Sequence, residues 1–179
     1  MPVERRSRGG DSAVTLVLGG ARSGKSAYAE SLVAGPGAVY VATAEAIDDE
    51  MEERIARHRA RRGAGWTTVE APLDLGAALR ACAPGASGVL VDCLTVWLGN
   101  LMHAGRDIDR EAGSLLESLA APAAPVVLVA NEVGLGVVPD NPMARAFRDH
   151  AGRLNQALAG RANRVVLVTA GIPLVLKPA

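Results

Sequence analysis

The sequence predicts an α/β fold in which helices cover both faces of a mostly parallel sheet. Three observations support this prediction. Short, β-branched apolar runs recur along the chain, helical patterns lie between most of them, and a glycine-rich segment joins the first run to the first helix. Strands that are apolar on both faces are typical of parallel sheets, and their alternation with helices is typical of right-handed βαβ units.

Five apolar runs are predicted to be strands because they are short, bounded by turn residues and rich in Val and Leu. They are Val14–Leu18, Ala38–Ala42, Gly88–Val91 leading into Asp92, Pro125–Ala130 and Arg164–Thr169. In open parallel sheets, ligands bind at the carboxyl ends of the strands. Polar residues that directly follow these runs are therefore candidates for a binding site.

Six segments between or after the strands are predicted to be helices. Most are rich in Ala and Leu, several stop at glycine, and one has a proline in its first turn, where proline is tolerated. The segments are Lys25–Ala34, Asp48–Arg62, Leu73–Ala81, Leu94–Met102, Ile108–Ala120 and Asn141–Ala159.

Length and composition restrict the class of protein. A chain of 179 residues is expected to form one domain, here residues 14–179, preceded by a flexible Arg-rich tail over residues 1–13. A net charge of zero and an aromatic content of 3% argue against a nucleic-acid partner. We find no signal-peptide pattern and no transmembrane run, so a cytoplasmic location is expected. Cys82 and Cys93 are too few for a disulfide framework and are predicted to be reduced, buried thiols.

The glycine-rich segment after the first predicted strand matches the P-loop pattern G-x-x-x-x-G-K-[ST] at every position. Its glycines allow successive backbone N–H groups to face one anion, and the following helix adds its positive end. We expect the Lys25 ammonium to reach the β- and γ-phosphates of a nucleotide, and the Ser26 hydroxyl to coordinate Mg²⁺. The alternative is a glycine-rich turn without a ligand, but the strand before it and the helix after it argue against that. The predicted phosphate-binding residues are Gly19, Gly20, Ala21, Arg22, Ser23, Gly24, Lys25 and Ser26.

An acidic residue ends the third predicted strand. Asp92 follows Val89-Leu90-Val91, the position at which P-loop proteins place a carboxylate that orients Mg²⁺. An exposed acid at a strand end is the alternative. Beside a P-loop the functional interpretation is favoured, and Asp92 is a second candidate metal ligand.

The charged helix predicted at Asp48–Arg62 carries a histidine on its apolar face. Met51, Ile55 and His58 follow each other at helical spacing, and several arginines surround the histidine. A packed histidine is one interpretation, and local sequence alone favours it. The other is a nucleophile, because a neutral imidazole beside arginines that bind phosphate could attack phosphorus.

A long loop follows the predicted strand Pro125–Ala130. Residues 131–139 read Asn-Glu-Val-Gly-Leu-Gly-Val-Val-Pro, longer than the two to six residues common for such a connection. The loop begins at the carboxyl edge of the predicted sheet. We expect it to contact the substrate, with Glu132 as a polar anchor.

Several of these motifs together resemble one family of enzymes. The sequence is similar to the bifunctional adenosylcobinamide kinase/adenosylcobinamide-phosphate guanylyltransferases of cobalamin synthesis, from about Val14 to Gly171. The P-loop alone would be generic, whereas the order and spacing of the other segments make the resemblance specific. The segments are Gly19–Ser26, Val39–Ala44, Asp48–His58, Trp66–Glu70, Asn131–Pro139 and Ala144–Gln156.

The resemblance implies two reactions and a set of site residues. ATP or GTP phosphorylates the aminopropanol hydroxyl of adenosylcobinamide, and GTP then gives GMP, through a histidine intermediate, to adenosylcobinamide phosphate. The family histidine falls on His58. The resemblance also implies a RecA-like P-loop fold and a homotrimer. By the same carry-over, the nucleotide site would be lined by Thr43, Ala44, Glu45, Arg59, Ala60, Arg61, Arg62, Glu70 and Asp92.

Two other functions stay open at this stage. One is a P-loop kinase with a single activity on another small alcohol, in which His58 is structural. The other is a RecA-like ATPase that acts on nucleic acid, which the zero net charge and few aromatics disfavour.

Overall fold

The computed structural model describes residues 13–33, 35–44 and 65–179. The predicted helix Asp48–Arg62 lies outside the described residues, as does the N-terminal tail up to residue 12. Within the described ranges, seven strands form one sheet. They are β1 Val14–Gly19, β2 Ala38–Ala42, β3 Trp66–Glu70, β4 Gly88–Asp92, β5 Val126–Asn131, β6 Arg164–Thr169 and β7 Ile172–Lys177.

The strand order across the sheet is β3-β2-β4-β5-β1-β6-β7. Neighbouring strands run parallel from β3 to β6, and β7 pairs antiparallel with β6. One strand, β5, separates β1, which precedes the glycine-rich loop, from β4, which ends in Asp92. This is the RecA-like α/β arrangement, and the predicted fold class is confirmed.

The helices in the described ranges begin and end within two residues of their predicted bounds. Asn141 caps the longest of them by accepting a hydrogen bond from the Ala144 amide at 2.8 Å, and Pro142 is its first residue. The helices are α1 Lys25–Val33, α2 Leu75–Cys82, α3 Leu94–His103, α4 Ile108–Ser118 and α5 Pro142–Arg161.

The sequence analysis missed β3 and β7, the two edge strands of the described sheet. An edge strand has no need to be apolar on both faces, and β3 lacks the continuous run that identified the five others. Strand β7 is apolar along most of its length, but its proline argues against a strand in the interior of a sheet. Trp66–Glu70 carries two threonines and a glutamate, and β7 contains Pro173, which an edge strand tolerates because its missing N–H need not pair. The chain reverses direction between β6 and β7 in a two-residue turn formed by Ala170 and Gly171, which have φ values of 51° and 79°.

The buried core has a layer on each face of the sheet. Alternate residues of one strand serve different layers, as Leu16 and Val17 of β1 do. One layer lies under α1 and includes Ala29, and the other lies under α2, α3, α4 and α5 and includes Trp97. Because both faces are covered, the carboxyl edge of the sheet is where loops can form a site.

Candidate nucleotide-binding site

The loop between β1 and α1 has the backbone conformation that a phosphate-binding loop needs. Gly24 has a φ of 93° and Arg22 a φ of 55°, both in the left-handed region. Alternation of right- and left-handed residues turns successive N–H groups toward one anion. At Gly19 a Cβ would lie 2.5 Å from Ser23 Oγ and 2.6 Å from the Val168 carbonyl oxygen, so only glycine fits there.

Helix α1 adds positive charge to this loop. It starts at Lys25 and has no acidic residue in its first turn, so nothing in that turn offsets the positive end of the helix dipole. The Lys25 ammonium donates a hydrogen bond to the Gly20 carbonyl at 3.2 Å, which places the charge over the loop. Ser26, the second residue of α1, is half-buried. The loop therefore offers backbone N–H groups, a helix N-terminus and an ammonium to the same region.

The turn between β6 and β7 supports the loop from the other side. The Gly171 amide donates a hydrogen bond to the Ser23 carbonyl at 2.8 Å. A Cβ on Gly24 would lie 3.2 Å from the Gly171 Cα, so the two backbones pack closely. The sequence analysis named Gly171 only as the end of the resemblance, because a contact between residues so far apart in the chain leaves no local signal.

Replacing Gly24 by alanine is expected to weaken nucleotide binding by about tenfold to a hundredfold. The substitution forces alanine into the left-handed backbone conformation, at a cost of about 1–3 kcal/mol, and places its Cβ too close to the Gly171 Cα. Isothermal titration with GTP measures the change. Gly152→Ala in α5 is the control, because nothing lies within 4 Å of a Cβ there. Equal GTP affinity in Gly24→Ala and wild type would contradict the structural role of this glycine.

Asp92 ends β4 at the same edge of the sheet. Its Oδ2 is buried and has no hydrogen-bond donor in the described part of the chain. A buried carboxylate oxygen without a partner costs about 1–3 kcal/mol or more, so such an atom marks a place for a bound group. Asp92 and the Ser26 hydroxyl supply the oxygen ligands that Mg²⁺ prefers. Mg²⁺ is usually held by one or two carboxylates together with substrate phosphates.

Cys93 follows Asp92 and is kept neutral by its surroundings. Burial raises the pKa of the Cys93 thiol, and the Asp92 carboxylate raises it further. Backbone hydrogen bonds of Thr95 and Val96 and the charge of Lys25 act in the opposite direction but are smaller. A thiol with a raised pKa is a poor nucleophile. Both Cys82 and Cys93 are free, as expected, but they are half-buried and not buried as predicted.

Thr43 joins the end of β2 to the turn after β4. Its hydroxyl accepts a hydrogen bond from the Cys93 amide at 2.9 Å and donates one to the Cys93 carbonyl at 2.8 Å. The Asn100 side chain of α3 donates to the Thr43 carbonyl at 2.8 Å and to the Pro72 carbonyl at 3.1 Å. Thr43 is fully buried, so its hydroxyl holds the chain beside Asp92. That Thr43 also lines the nucleotide site stays a prediction.

The remaining predicted lining residues fall into two groups. Ala44 follows β2, and Glu70 ends β3 with an exposed side chain. Register places Ala42 of β2 between Glu70 and Asp92, so these residues share the carboxyl edge with the P-loop. The others lie outside the described residues; they are Glu45, His58, Arg59, Ala60, Arg61 and Arg62.

The loop after β5 lies against the P-loop. The Glu132 amide donates a hydrogen bond to the Gly19 carbonyl at 3.1 Å. The Glu132 carboxylate accepts one from the Gly134 amide at 2.8 Å. This hydrogen bond stabilises the conformation of the loop to which Glu132 belongs. Beyond it, Leu135 and Val137 are 87% and 95% exposed, which leaves an apolar surface next to the nucleotide site. The role of Glu132 as a substrate anchor stays a prediction.

Sequence reasoning included Asn131, the last residue of β5, in the expected substrate loop at residues 131–139 but gave its side chain no role of its own. Its Oδ1 is buried and has no donor among the described residues, as with Asp92 Oδ2 and Ser23 Oγ. These three atoms follow or end β5, β4 and β1, which are adjacent strands. The sequence placed Asn131 at the start of a loop, but an unpartnered oxygen becomes visible only in three dimensions.

Fold and site together define a P-loop nucleotide-binding protein. The family described as "Cobinamide kinase / cobinamide phosphate guanyltransferase" matches residues 15–176. The chain belongs to this family. Among its described residues, no helix has the length and apolar character needed to cross a membrane.

Three curated relatives match most of the chain. "Bifunctional adenosylcobalamin biosynthesis protein CobP" of Pseudomonas aeruginosa is 51% identical and is covered over 96% of its length by 90% of this chain. The proteins named "Bifunctional adenosylcobalamin biosynthesis protein CobU" of Salmonella typhimurium and Escherichia coli are 42% and 43% identical, with 90% of this chain matching 98% of each. The resemblance and the two transferase activities predicted from the sequence are confirmed by these matches.

Solved structures give a more distant likeness. The P4 protein of bacteriophage phi6 in complex with ADP matches with a TM-score of 0.49 and 16% identity. The alignment covers 90% of this chain and 52% of the phage protein. This likeness is too distant to bear on function.

Proposed function

We propose that the chain uses one P-loop site for two successive transfers, from a nucleoside triphosphate to adenosylcobinamide and from GTP to adenosylcobinamide phosphate. The observation that carries this proposal is the complete phosphate-binding loop at Gly19–Ser26, with Lys25 and Asp92 beside it, in a chain of this family. Membership of the family supports the identity of the substrates. The geometry supports the role of the loop in holding the phosphates.

In the kinase reaction, the aminopropanol hydroxyl of the corrinoid attacks the γ-phosphorus of ATP or GTP. A new P–O bond forms, the bond to the β–γ bridging oxygen breaks, and the nucleoside diphosphate leaves. Backbone N–H groups of the loop and the Lys25 ammonium stabilise the charge on the transferring group. The hydroxyl proton passes to solvent or a nearby base.

Mg²⁺ fits the hydroxyl of Ser26 at the start of α1 and the carboxylate of Asp92 at the end of β4, which would hold it. When bound, the ion neutralises charge on the phosphate oxygens. Asp92 contributes a fixed carboxylate, since Thr43 holds the following Cys93 through two hydrogen bonds.

In the second reaction, an imidazole nitrogen of His58 attacks the α-phosphorus of GTP and pyrophosphate leaves. The phosphate of the corrinoid then attacks the same phosphorus, the P–N bond breaks, and His58 is released as adenosylcobinamide-GDP forms. A covalent intermediate divides the transfer into two easier displacements. The role of His58 follows from the resemblance, and we propose Arg59–Arg62 and Glu45 as nucleotide contacts on the same ground.

The proposal is tested by following the corrinoid by mass spectrometry. Adenosylcobinamide incubated with the protein, Mg²⁺ and GTP is expected to gain the mass of one phosphate and then that of a GMP group, which together give adenosylcobinamide-GDP. A product that stops at the phosphate would favour the single-activity kinase. No corrinoid product, together with nucleotide hydrolysis that DNA or RNA stimulates, would favour the nucleic-acid ATPase.

We further propose that the protein is a cytoplasmic homotrimer in which β7 contributes to the interface. All residues of β7 are exposed, and four of them are large and apolar, namely Ile172, Leu174, Val175 and Leu176. An exposed apolar edge strand is typical of an interaction surface.

The trimer proposal predicts that Leu174→Glu dissociates the assembly. Sedimentation equilibrium is expected to give three times the chain mass of 18.4 kDa for wild type and a single chain mass for the variant. Val137→Glu, also at an exposed apolar side chain, is the control and is expected to stay trimeric. A wild-type protein that sediments as a monomer would contradict the proposal.

A further inference from the structure

Asn131 occupies the centre of the carboxyl edge, between the two parts of the proposed site. Its strand, β5, lies between β4, which ends in Asp92, and β1, which leads into the P-loop. In the register of β1 and β5, Asn131 pairs with Gly19, the first residue of the P-loop. Its side chain therefore starts from a backbone position fixed beside the phosphate-binding loop.

The backbone of Asn131 is held by two helices. The Asn131 amide donates a hydrogen bond to Thr95 Oγ1 of α3 at 2.7 Å, and the Asn131 carbonyl accepts one from Asn155 Nδ2 of α5 at 3.4 Å. Asn155 is itself buried. The next residue, Glu132, is tied to Gly19. This anchoring fixes the position from which the side-chain amide extends.

The side-chain oxygen of Asn131, like one carboxylate oxygen of Asp92, has no hydrogen-bond donor among the described residues. Both Asn131 Oδ1 and Asp92 Oδ2 are buried acceptors without a donor in the described part of the chain. The Lys25 ammonium of the P-loop donates a hydrogen bond to the Gly20 carbonyl instead. Two unsatisfied acceptors on adjacent strands call for a bound group that is rich in donors.

A hydrated Mg²⁺ ion is such a group. Mg²⁺ loses its water reluctantly and keeps several water molecules in protein sites, each of them a hydrogen-bond donor. A neutral amide oxygen can accept from this shell without adding negative charge beside the phosphates, whereas a second carboxylate would repel them. An asparagine at position 131 is therefore suited to orient the hydration shell of a Mg²⁺ ion whose charge Asp92 helps to neutralise.

We propose that Asn131 is a positioning residue that accepts a hydrogen bond from the hydration shell of Mg²⁺ in the nucleotide complex. The inference rests on the proposed function in one respect, namely that Asp92 and Ser26 hold Mg²⁺. It gives a specific role to Asn131, which the sequence analysis had only included in a segment expected to contact the substrate. Through the ion's shell, Asn131 fixes the orientation of the bound triphosphate relative to the P-loop.

The test measures how strongly Mg²⁺ tightens the binding of a non-hydrolysable GTP analogue. Binding is titrated with excess Mg²⁺ and with EDTA, in wild type and in Asn131→Leu, a variant of similar size that lacks the acceptor. The loss of one hydrogen bond to a charged group is expected to reduce the Mg²⁺-dependent tightening by about tenfold. Affinity in EDTA is expected to be unchanged, and the melting temperature unchanged or higher, because an unsatisfied buried oxygen has been removed.

Asn163→Leu is the matched control. Asn163 Oδ1 accepts a hydrogen bond from the Val14 amide at 2.8 Å, so this asparagine has a structural partner. Its replacement is expected to lower the melting temperature and to leave the Mg²⁺ effect intact. If Asn131→Leu behaves in the same way, Asn131 is structural and the inference is wrong.

Asp92→Asn separates failure of this inference from failure of the proposed site. If Asp92→Asn loses the Mg²⁺ effect while Asn131→Leu keeps it, the site stands and the role of Asn131 is refuted. If wild type shows no Mg²⁺ effect, both proposals fail. A reduced effect in both variants, with the EDTA affinity of Asn131→Leu preserved, supports the inference.

Discussion

Lys25→Ala is expected to reduce kinase turnover by about 10²–10³-fold, the effect of removing one preorganised donor from a developing negative charge. The ammonium lies over the P-loop, 3.2 Å from the Gly20 carbonyl. There it can stabilise the negative charge that develops on the bridging oxygen and on the transferring phosphoryl group. The affinity for GTP is expected to fall as well, because the cation also neutralises the bound triphosphate. Steady-state kinetics with adenosylcobinamide and a binding titration with GTP measure the two effects.

The chain provides its own control for this substitution. Its other lysine, Lys177, donates hydrogen bonds to carbonyls at the end of α5, at Ala159, Gly160 and Ala162. Lys177→Ala therefore removes the same charge far from the loop and is expected to leave turnover near wild type. Normal GTP binding by Lys25→Ala would refute the assignment of the P-loop as the phosphate site.

His58→Ala is expected to abolish guanylyl transfer, with a loss on the order of 10⁶-fold, as when a covalent catalyst loses its nucleophile. Phosphorylation of the corrinoid is expected to continue, because transfer of the γ-phosphate needs no covalent enzyme intermediate. Incubation with α-labelled GTP is expected to leave an acid-labile label on wild-type protein and none on the variant.

His103→Ala serves as the control for the labelling experiment. His103 is exposed at the end of α3 and is expected to have no part in the transfer, so its replacement should leave the label intact. A label that persists in His58→Ala would contradict the proposed nucleophile. Loss of kinase activity together with the label would instead indicate a structural role for His58.

The parts of the fold that could be predicted from the sequence are those whose signal is local. The bounds of β2 and β6 were predicted as observed, since each is a short, largely apolar run that contains valines. Strand β3 could not be predicted this way because an edge strand needs only one packed neighbour, and the apolar run of β7 contains Pro173, which argues against a strand in the interior of a sheet. Their place in the sheet depends on pairing with strands elsewhere in the chain.

The candidate site divides in the same way. The P-loop was evident from residues 19–26 because eight consecutive positions define it. The link between Thr43 and Cys93 joins residues 50 positions apart, and the buried Asn131 oxygen is defined by the absence of a donor. No local pattern encodes either property. The role of His58 came from the resemblance, since helical spacing alone favoured a packed side chain.

The contact between the β6–β7 turn and the P-loop has a consequence for regulation. The Gly171 amide donates a hydrogen bond to the Ser23 carbonyl. The turn that contains Gly171 leads directly into the exposed strand β7. In the proposed trimer, a neighbouring subunit packed against β7 would restrain the β6–β7 turn, and so would stabilise the phosphate-binding loop and tighten nucleotide binding. Affinity for GTP would then rise with protein concentration, so that the free subunit is a weaker enzyme than the assembled one.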